Sequence, residues 1–164
     1  MLRLTRSIWL YVMTLLAVLG GGAFTARAAA ESKPLPALVQ ASIDESTKAC
    51  EPEPASLQPG FVTIKEINGD GRADYVLDYS KFQCGDNPIY FCGTAGCLMQ
   101  IFASLPNGRY VKVLDRNVRS VRFTRIKGRA AMLLGLHGSE CGEVSEAPCA
   151  VTLLWNGREF RPRN

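Results

Sequence analysis

After Gly60, several segments of the chain alternate hydrophobic and polar positions with a period of two. Such alternation is typical of strands with one face on a core, whereas a continuous apolar run of similar length indicates a strand buried on both faces. Both patterns occur, and together they predict about eight strands. The segments are FVTIKEI (61–67), ADYVLDY (73–79), CLMQIFASL (97–105), YVKVLD (110–115), SVRFTRI (120–126), AAMLLGL (130–136), AVTLLW (150–155) and EFRPR (159–163).

Asn-Gly pairs mark three of the connections between these strands, at 68–69, 107–108 and 156–157. Both residue types tolerate the positive φ angles of tight hairpin turns. Short connections of this kind predict that consecutive strands pair antiparallel. We therefore expect an antiparallel β-meander.

The segment before Gly60 has a helical pattern instead. PALVQASIDESTKAC (36–50) contains few helix breakers and brings its apolar residues close to one helical face. Pro36 suits the first turn of a helix, and the prolines beyond residue 51 end it. The sequence thus predicts an α+β fold, an N-terminal helix followed by the β-meander. Its parts are a helix and connector (31–60) and a β-rich domain (61–164), in one globular unit (31–164).

The first 30 residues have the pattern of a secretory signal peptide. Arg3 and Arg6 precede the apolar run IWLYVMTLLAVL (8–19), and small residues follow it. Ala28 and Ala30 each end an A-x-A site at which such a leader is cleaved. The run is short for a membrane span of roughly 20 residues, and an uncleaved anchor is the alternative. We expect a periplasmic or secreted protein that meets the membrane only during export.

The net charge of the chain is small once the leader is removed, so it adds little to this interpretation. The leader contains Arg3, Arg6 and Arg27 of the 19 basic residues and none of the 15 acidic ones, so the mature chain has a net charge of about +1. A nearly neutral domain gives no reason to expect non-specific binding to nucleic acid.

Six cysteines remain after the leader, an even number in a small exported chain, which predicts three disulfides. Six cysteines allow 15 pairings. We predict the two local pairs Cys92–Cys97 and Cys141–Cys149, which leaves Cys50 to pair with Cys84. A zinc site is the alternative, but the chain has no C-x-x-C pair.

The segment EINGDGRADYV (66–76) is the strongest candidate for a metal site. Oxygen ligands for calcium recur at alternate positions of a loop that turns sharply at a glycine, as in D-x-[DN]-x-[DN]-G. Gly71 lies at the sharp turn, and Leu77 occupies the twelfth position, where a bidentate Glu is usual. The alternative is a plain turn between two strands. The candidate ligands are Glu66, Asn68, Asp70, Asp74 and the backbone carbonyl of Arg72.

This segment resembles the D-x-N-G-D-G-x-x-D loops of FG-GAP and VCBS-type repeats, which carry calcium between strands in exported or extracellular proteins. The resemblance covers about ten residues and implies a structural calcium ion held by the five ligands named above. Over most of the mature chain, NGDGRADYVLDYSKFQC (68–84), FCGTAGCLMQIF (91–102) and the segment from LHGSECG (136–142) to TLLWNG (152–157) resemble a group of small, uncharacterised exported bacterial proteins. That resemblance implies no activity.

Few residues indicate catalysis. His137 is the only histidine, and Cys141 lies close to it, so an envelope hydrolase with a Cys-His pair is one hypothesis. The other is a histidine that stabilises a strand end. Basic residues concentrate in 109–129, where they indicate either an acidic partner or solvated strand edges.

These patterns favour an exported, non-enzymatic small domain over an enzyme. We expect it to carry a structural calcium loop and to act as a partner-binding or inhibitor domain toward an envelope or extracellular partner. The pattern does not specify that partner or an oligomeric state.

Overall fold

A computed structural model describes residues 34–142 and 147–162 of the chain. The predicted signal peptide (1–30) and both of its cleavage sites lie outside these residues. Within them, the chain forms one α-helix, two short 3-10 helices and eleven strands. The helix α1 is Ala37–Ala49. The strands are β1 (Ala55–Leu57), β2 (Val62–Lys65), β3 (Asp74–Asp78), β4 (Phe82–Cys84), β5 (Cys92–Gly93), β6 (Gly96–Ser104), β7 (Tyr110–Val118), β8 (Ser120–Ile126), β9 (Arg129–Leu136), β10 (Cys149–Trp155) and β11 (Phe160–Pro162).

The prediction of about eight strands was wrong, because the described residues contain eleven. The three additional strands, β1, β4 and β5, have only two or three residues each, too few to show a period. The helix α1 lies inside the predicted range 36–50 and begins directly after Pro36.

The strands are antiparallel, as predicted, but they form two main sheets and a small one. The first sheet has the order β2-β3-β6-β7, with β5 also pairing with β6. The second sheet is the meander β8-β9-β10-β11. The strands β1 and β4 form a separate pair. Only Arg119 lies between β7 and β8, so the chain passes from the first sheet to the second without a turn sequence.

The first sheet is covered on both faces, and alternate residues of its central strands point to opposite sides. Leu77 and Phe102 pack in one cluster with Val39 and Ile43 of α1. A second cluster joins the opposite face to the second sheet and contains Val76, Ile101, Leu114, Met132, Leu134, Leu136 and Phe160. Burial on both faces explains why CLMQIFASL is nearly all apolar.

The asparagines of the three Asn-Gly turns do not adopt the positive φ angles that the prediction assumed. Gly108 and Gly157 have φ angles of +77° and +100°, but Lys127 is the only other residue type with positive φ in the described ranges. Asn107 and Asn156 instead accept a backbone hydrogen bond through Oδ1 from the residue two positions on. The turns therefore depend on glycine for the backbone and on an asparagine side chain for closure.

The three predicted disulfides are confirmed: Cys50–Cys84, Cys92–Cys97 and Cys141–Cys149. No cysteine of the described segments is free. The first bond connects the residue after α1 to the end of β4, the second closes the β5–β6 hairpin, and the third ties the segment after β9 to the start of β10. No helix in these segments has the length and apolar character to cross a membrane.

Candidate functional site

Asp74 is the most deeply placed of the predicted calcium ligands. It begins β3, at the end of the 66–74 loop, and its side chain is fully buried. Oδ2 accepts a hydrogen bond from the Ile67 amide at 2.7 Å. Oδ1 accepts from the Ser104 amide at 2.7 Å and lies 2.8 Å from the Ser104 hydroxyl. Oδ2 therefore closes the loop onto Ile67, and Oδ1 fixes the loop to the end of β6.

Asn68 and Asp70 organise the middle of the loop. Asn68 is buried, and its Nδ2 donates to the Ser104 carbonyl at 2.8 Å. Its Oδ1 accepts from the Asp70 amide at 3.0 Å, and Asp70 Oδ1 accepts from the Arg72 amide at 2.8 Å. These two side chains close successive turns of the loop, as Asn and Asp commonly do.

The outer residues of the loop make contacts that differ from the predicted ligand roles. Glu66 accepts a short hydrogen bond from the Gly69 amide, and its other oxygen lies 3.8 Å from the Arg125 guanidinium. Arg72 donates through its side chain to the Leu105 carbonyl at 2.6 Å. Glu66 thus already has a cationic partner.

In the described structure, side-chain oxygens of Glu66, Asn68, Asp70 and Asp74 accept hydrogen bonds from backbone amides of the loop or of Ser104. No group of three acidic, cysteine or histidine side chains in the described part of the chain is arranged to hold a metal. The structure does bring Asp70 Oδ2 and Asp74 Oδ1 to the same hydroxyl, that of Ser104, at 2.9 and 2.8 Å. A hydroxyl has one hydrogen and can donate to only one of them. Calcium binding by this loop stays a prediction.

Ser104 was not found from the sequence, although it contacts three of the loop residues. It lies at the end of β6, 30 residues from Asp74. The only signal was a polar residue in a long apolar run. Burial raises the pKa of Tyr110, and the neighbouring Tyr75 and Asp74 raise it further. The Tyr110 hydroxyl donates to the Ala73 carbonyl at 3.0 Å, which closes this end of the first sheet.

A cleft of about 800 Å³ lies between β8 of the second sheet and one face of the first sheet. The strand β8 covers only part of that face. Thr63, Val76 and Met99 belong to its floor and lie on one face of β2, β3 and β6, as their register shows. Residues 120–123 of β8 line it from the other sheet. This volume falls in the range of ordinary ligand pockets.

The β5–β6 hairpin lines one end of the cleft. Gly93, Thr94 and Gly96 all lie along it. Gly96 has a φ of +100°, and a Cβ there would lie 2.0 Å from the carbonyl oxygen of Val118. Only glycine permits this approach of the hairpin to β7, so the shape of the cleft depends on Gly96.

Cationic side chains outnumber anionic ones along the cleft. Lys65, Arg119 and Arg122 line it, whereas Asp78 is the one acidic residue among the described residues of its lining. Asp78 accepts a hydrogen bond from the Ser80 amide at 3.0 Å. The Lys65 ammonium lies over the Phe123 ring, 5.2 Å from its centroid. The cleft therefore combines an apolar floor with a net positive rim.

The basic residues of 109–129 do not form a single surface. Several have local partners: Lys112 pairs with Asp115, Arg116 with Glu140 and Arg125 with Glu66. Arg122 makes no ion pair or side-chain hydrogen bond with any described residue, and it is the one that lies at the cleft without a partner.

His137 follows β9 and caps a short 3-10 helix, Gly138–Cys141. Its Nδ1 accepts from the Ser139 amide at 3.3 Å and lies 2.8 Å from the Ser139 hydroxyl. Cys141, the predicted nucleophile of the hydrolase hypothesis, is bonded to Cys149. A disulfide sulfur is not a thiolate and does not act as a nucleophile in acyl transfer.

Comparison with family models, curated proteins and solved structures found no match for this chain.

Proposed function

We propose that this protein is an exported, non-enzymatic binding domain that holds a partner in the cleft between β8 and the face of the first sheet. The observation that supports this most is the cleft itself, about 800 Å³ in volume, with an apolar floor and Arg122 unpaired on its rim. Unpaired cations beside apolar surface favour ligands that carry both anionic and apolar groups.

Rigidity also supports a binding role. The Cys92–Cys97 bond closes the hairpin at one end of the cleft, and the floor belongs to a sheet covered by α1 on its other face. A partner that meets a preformed surface loses less free energy to ordering of the protein. Three disulfides are typical of small domains in oxidising compartments outside the cytoplasm.

A photocrosslinking experiment tests this function. A benzophenone amino acid replaces Thr63, an exposed residue on the cleft floor, or Thr47, an exposed residue of α1 on the opposite side of the first sheet. In the cells that naturally produce the protein, we expect light-dependent adducts from position 63 and none from position 47. Adducts of equal yield at both positions, or none at position 63, would contradict the proposal.

The competing hypothesis, an envelope hydrolase using His137, gains no support from the arrangement of Cys141. It predicts that His137→Ala removes a hydrolytic activity with unchanged thermal stability. Under the proposed binding role, the same substitution removes the cap of the Gly138–Cys141 helix and lowers stability, with no change in adduct yield at position 63. Thermal melts and crosslinking on one variant therefore separate the two hypotheses.

We also propose that the 66–74 loop binds a calcium ion weakly. The specific observation is that two carboxylates, of Asp70 and Asp74, face the single hydrogen of the Ser104 hydroxyl. Two neighbouring carboxylates repel each other unless a proton or a cation lies between them. The five predicted ligands would hold the ion and so stabilise the turn: Glu66, Asn68, Asp70, Asp74 and the backbone carbonyl of Arg72. We expect a Kd of about 10⁻⁴–10⁻³ M because no bidentate Glu is available.

Calorimetric titration with calcium tests the loop. We expect heat from the unmodified protein and none from Asp70→Ala, whereas Asp86→Ala, an exposed acidic residue in another loop, should titrate like the unmodified protein. Equal heats from the protein and from Asp70→Ala, or no heat from either, would rule out binding at this loop.

A further inference from the structure

The strand β8 is an open edge of the second sheet. Among the described strands it pairs only with β9, from Ser120 opposite Gly135 to Ile126 opposite Arg129. Its other side carries backbone amides and carbonyls that no described strand uses. Residues 120–123 of this edge lie along the cleft. An open edge is a template for pairing with another extended chain.

The geometry of the cleft matches an extended chain better than a compact ligand. One wall is formed by residues 120–123 of the edge strand β8. The floor is a row of residues on one face of the first sheet, with Thr63, Val76 and Met99 from three neighbouring strands. A chain paired to residues 120–123 would extend about 13 Å, since a strand rises about 3.3 Å per residue. Alternate side chains of that chain would face the floor.

The charged residues that line the cleft indicate which side chains such an extended chain would carry. Lys65 and Arg122 flank the apolar floor, and Arg119 lines the end of the cleft near the β5–β6 hairpin. Asp78, the one anionic side chain that the described part of the chain contributes to the lining, already accepts a hydrogen bond from the Ser80 amide. Acidic side chains on the occupant would complement the cations, and apolar side chains would cover Val76 and Met99.

We propose that the occupant of the cleft is an extended segment of a partner protein, with alternating apolar and acidic residues, which adds to β8 as a fifth strand of the second sheet. The proposal rests on the binding function stated above and makes it specific. Strand addition obtains affinity from main-chain hydrogen bonds and specificity from alternate side chains, and both parts are present here. An acidic polysaccharide would use the cations but leave the backbone edge of β8 unpaired.

A peptide selection with backbone variants tests the proposal on the intact mature protein. A displayed library of random 12-residue peptides is selected against the protein, and the best peptide is resynthesised with N-methyl groups at single positions. In a strand paired on one side, every second amide faces its neighbour. We expect N-methylation to lower affinity at least tenfold at alternate positions and to change it less than threefold at the positions between.

Two matched variants locate the binding. Arg122→Glu reverses a cation of the cleft, and Arg158→Glu reverses an exposed cation in the turn between β10 and β11. We expect the first to weaken the peptide at least tenfold and the second to leave affinity unchanged, with equal melting temperatures. Equal effects of the two variants would overturn the proposal.

The remaining outcomes distinguish this proposal from the function on which it rests. If N-methylation leaves affinity unchanged, or lowers it without alternation between successive peptide positions, strand addition is overturned while cleft binding remains intact. Binding of dextran sulfate that Arg122→Glu abolishes, with no peptide enriched, would make the occupant a polyanionic sugar and overturn the peptide proposal. Failure of the crosslink at position 63 would instead remove the binding function itself.

Discussion

Asp74 is the residue whose environment differs most from what its position in a loop motif suggests. Its carboxylate is fully buried and accepts backbone hydrogen bonds from Ile67 and Ser104. A buried carboxylate with good donors contributes to stability, and removal of its charge leaves those donors poorly paired. Its main role in the described structure is to join the loop to the end of β6.

We predict that Asp74→Asn lowers the free energy of unfolding by about 2–4 kcal/mol, because an amide nitrogen replaces one of two oxygens that each accept a backbone N–H. Asp78→Asn is the control, since Asp78 accepts one amide and is less buried. We expect a loss of no more than about 1 kcal/mol there. Urea unfolding of both variants provides the measurement, and equal losses would contradict the structural role of Asp74.

Tyr79 is the corresponding buried polar group on the helix side of the first sheet. Its hydroxyl lies 2.6 Å from Ser46 Oγ and donates to Gln100 Oε1 at 2.9 Å. Burial raises the pKa of Tyr79, and the nearby charges of Asp115 and Glu45 raise it further, against a lowering by Ser46. The folded state thus favours the neutral phenol.

We predict that Tyr79→Phe lowers the free energy of unfolding by about 1–2 kcal/mol at pH 8. Because the folded pKa is raised, the contribution of Tyr79 is complete below its unfolded pKa of about 10 and is lost as pH rises through the folded value. The stability difference between the protein and the variant should therefore shrink above pH 10. Unfolding curves at pH 8, 10 and 11 measure it, and a constant difference would contradict the assignment.

The helix and the longer strands were predictable because their patterns are local. The range 36–50 contains α1, and runs such as CLMQIFASL carry the signal of a doubly buried strand. The role of Asp74 was not predictable, because Ser104 comes beside it only when β3 pairs with β6. The short strands β1, β4 and β5 depend on tertiary pairing, and no periodicity marks them.

At the scale of elements, the three disulfides differ in how much chain they enclose. Cys50–Cys84 joins the end of α1 to β4 across a separation of 34 residues, whereas Cys92–Cys97 closes a hairpin across five. In the chain-entropy model, a crosslink that closes a longer loop restricts the unfolded chain more. The first bond should therefore contribute more to stability.

We predict that replacing Cys50 and Cys84 by alanine lowers the free energy of unfolding by about 4 kcal/mol, and replacing Cys92 and Cys97 by about 2 kcal/mol. The second pair of substitutions should instead affect the cleft, because it releases the β5–β6 hairpin. Denaturant unfolding measures the first effect, and crosslinking from position 63 measures the second. The reverse order of stability losses would contradict this account of the two bonds.

At the scale of the whole molecule, the first sheet is the shared layer between α1 and the second sheet. The sequence indicated one meander, because nothing between β7 and β8 marks a change of sheet. The single residue Arg119, whose amide donates to the Gly135 carbonyl at 2.8 Å, connects the two sheets. The cleft arises from this divergence, since β8 leaves part of the first sheet uncovered, and so the cleft could not be predicted from local patterns.

Adjacent residues of β6 test whether this layered arrangement unfolds as one unit. Ile101 packs toward the second sheet and Phe102 toward α1, and both are fully buried. We predict that Ile101→Ala lowers the free energy of unfolding by about 2–5 kcal/mol and Phe102→Ala by about 3–5 kcal/mol, through lost burial and the cavities that remain. Because both clusters share β3 and β6, neither should melt alone. Far- and near-ultraviolet circular dichroism should give one coincident transition in each variant. Two separated transitions would show that the helix layer and the paired sheets are independent folding units.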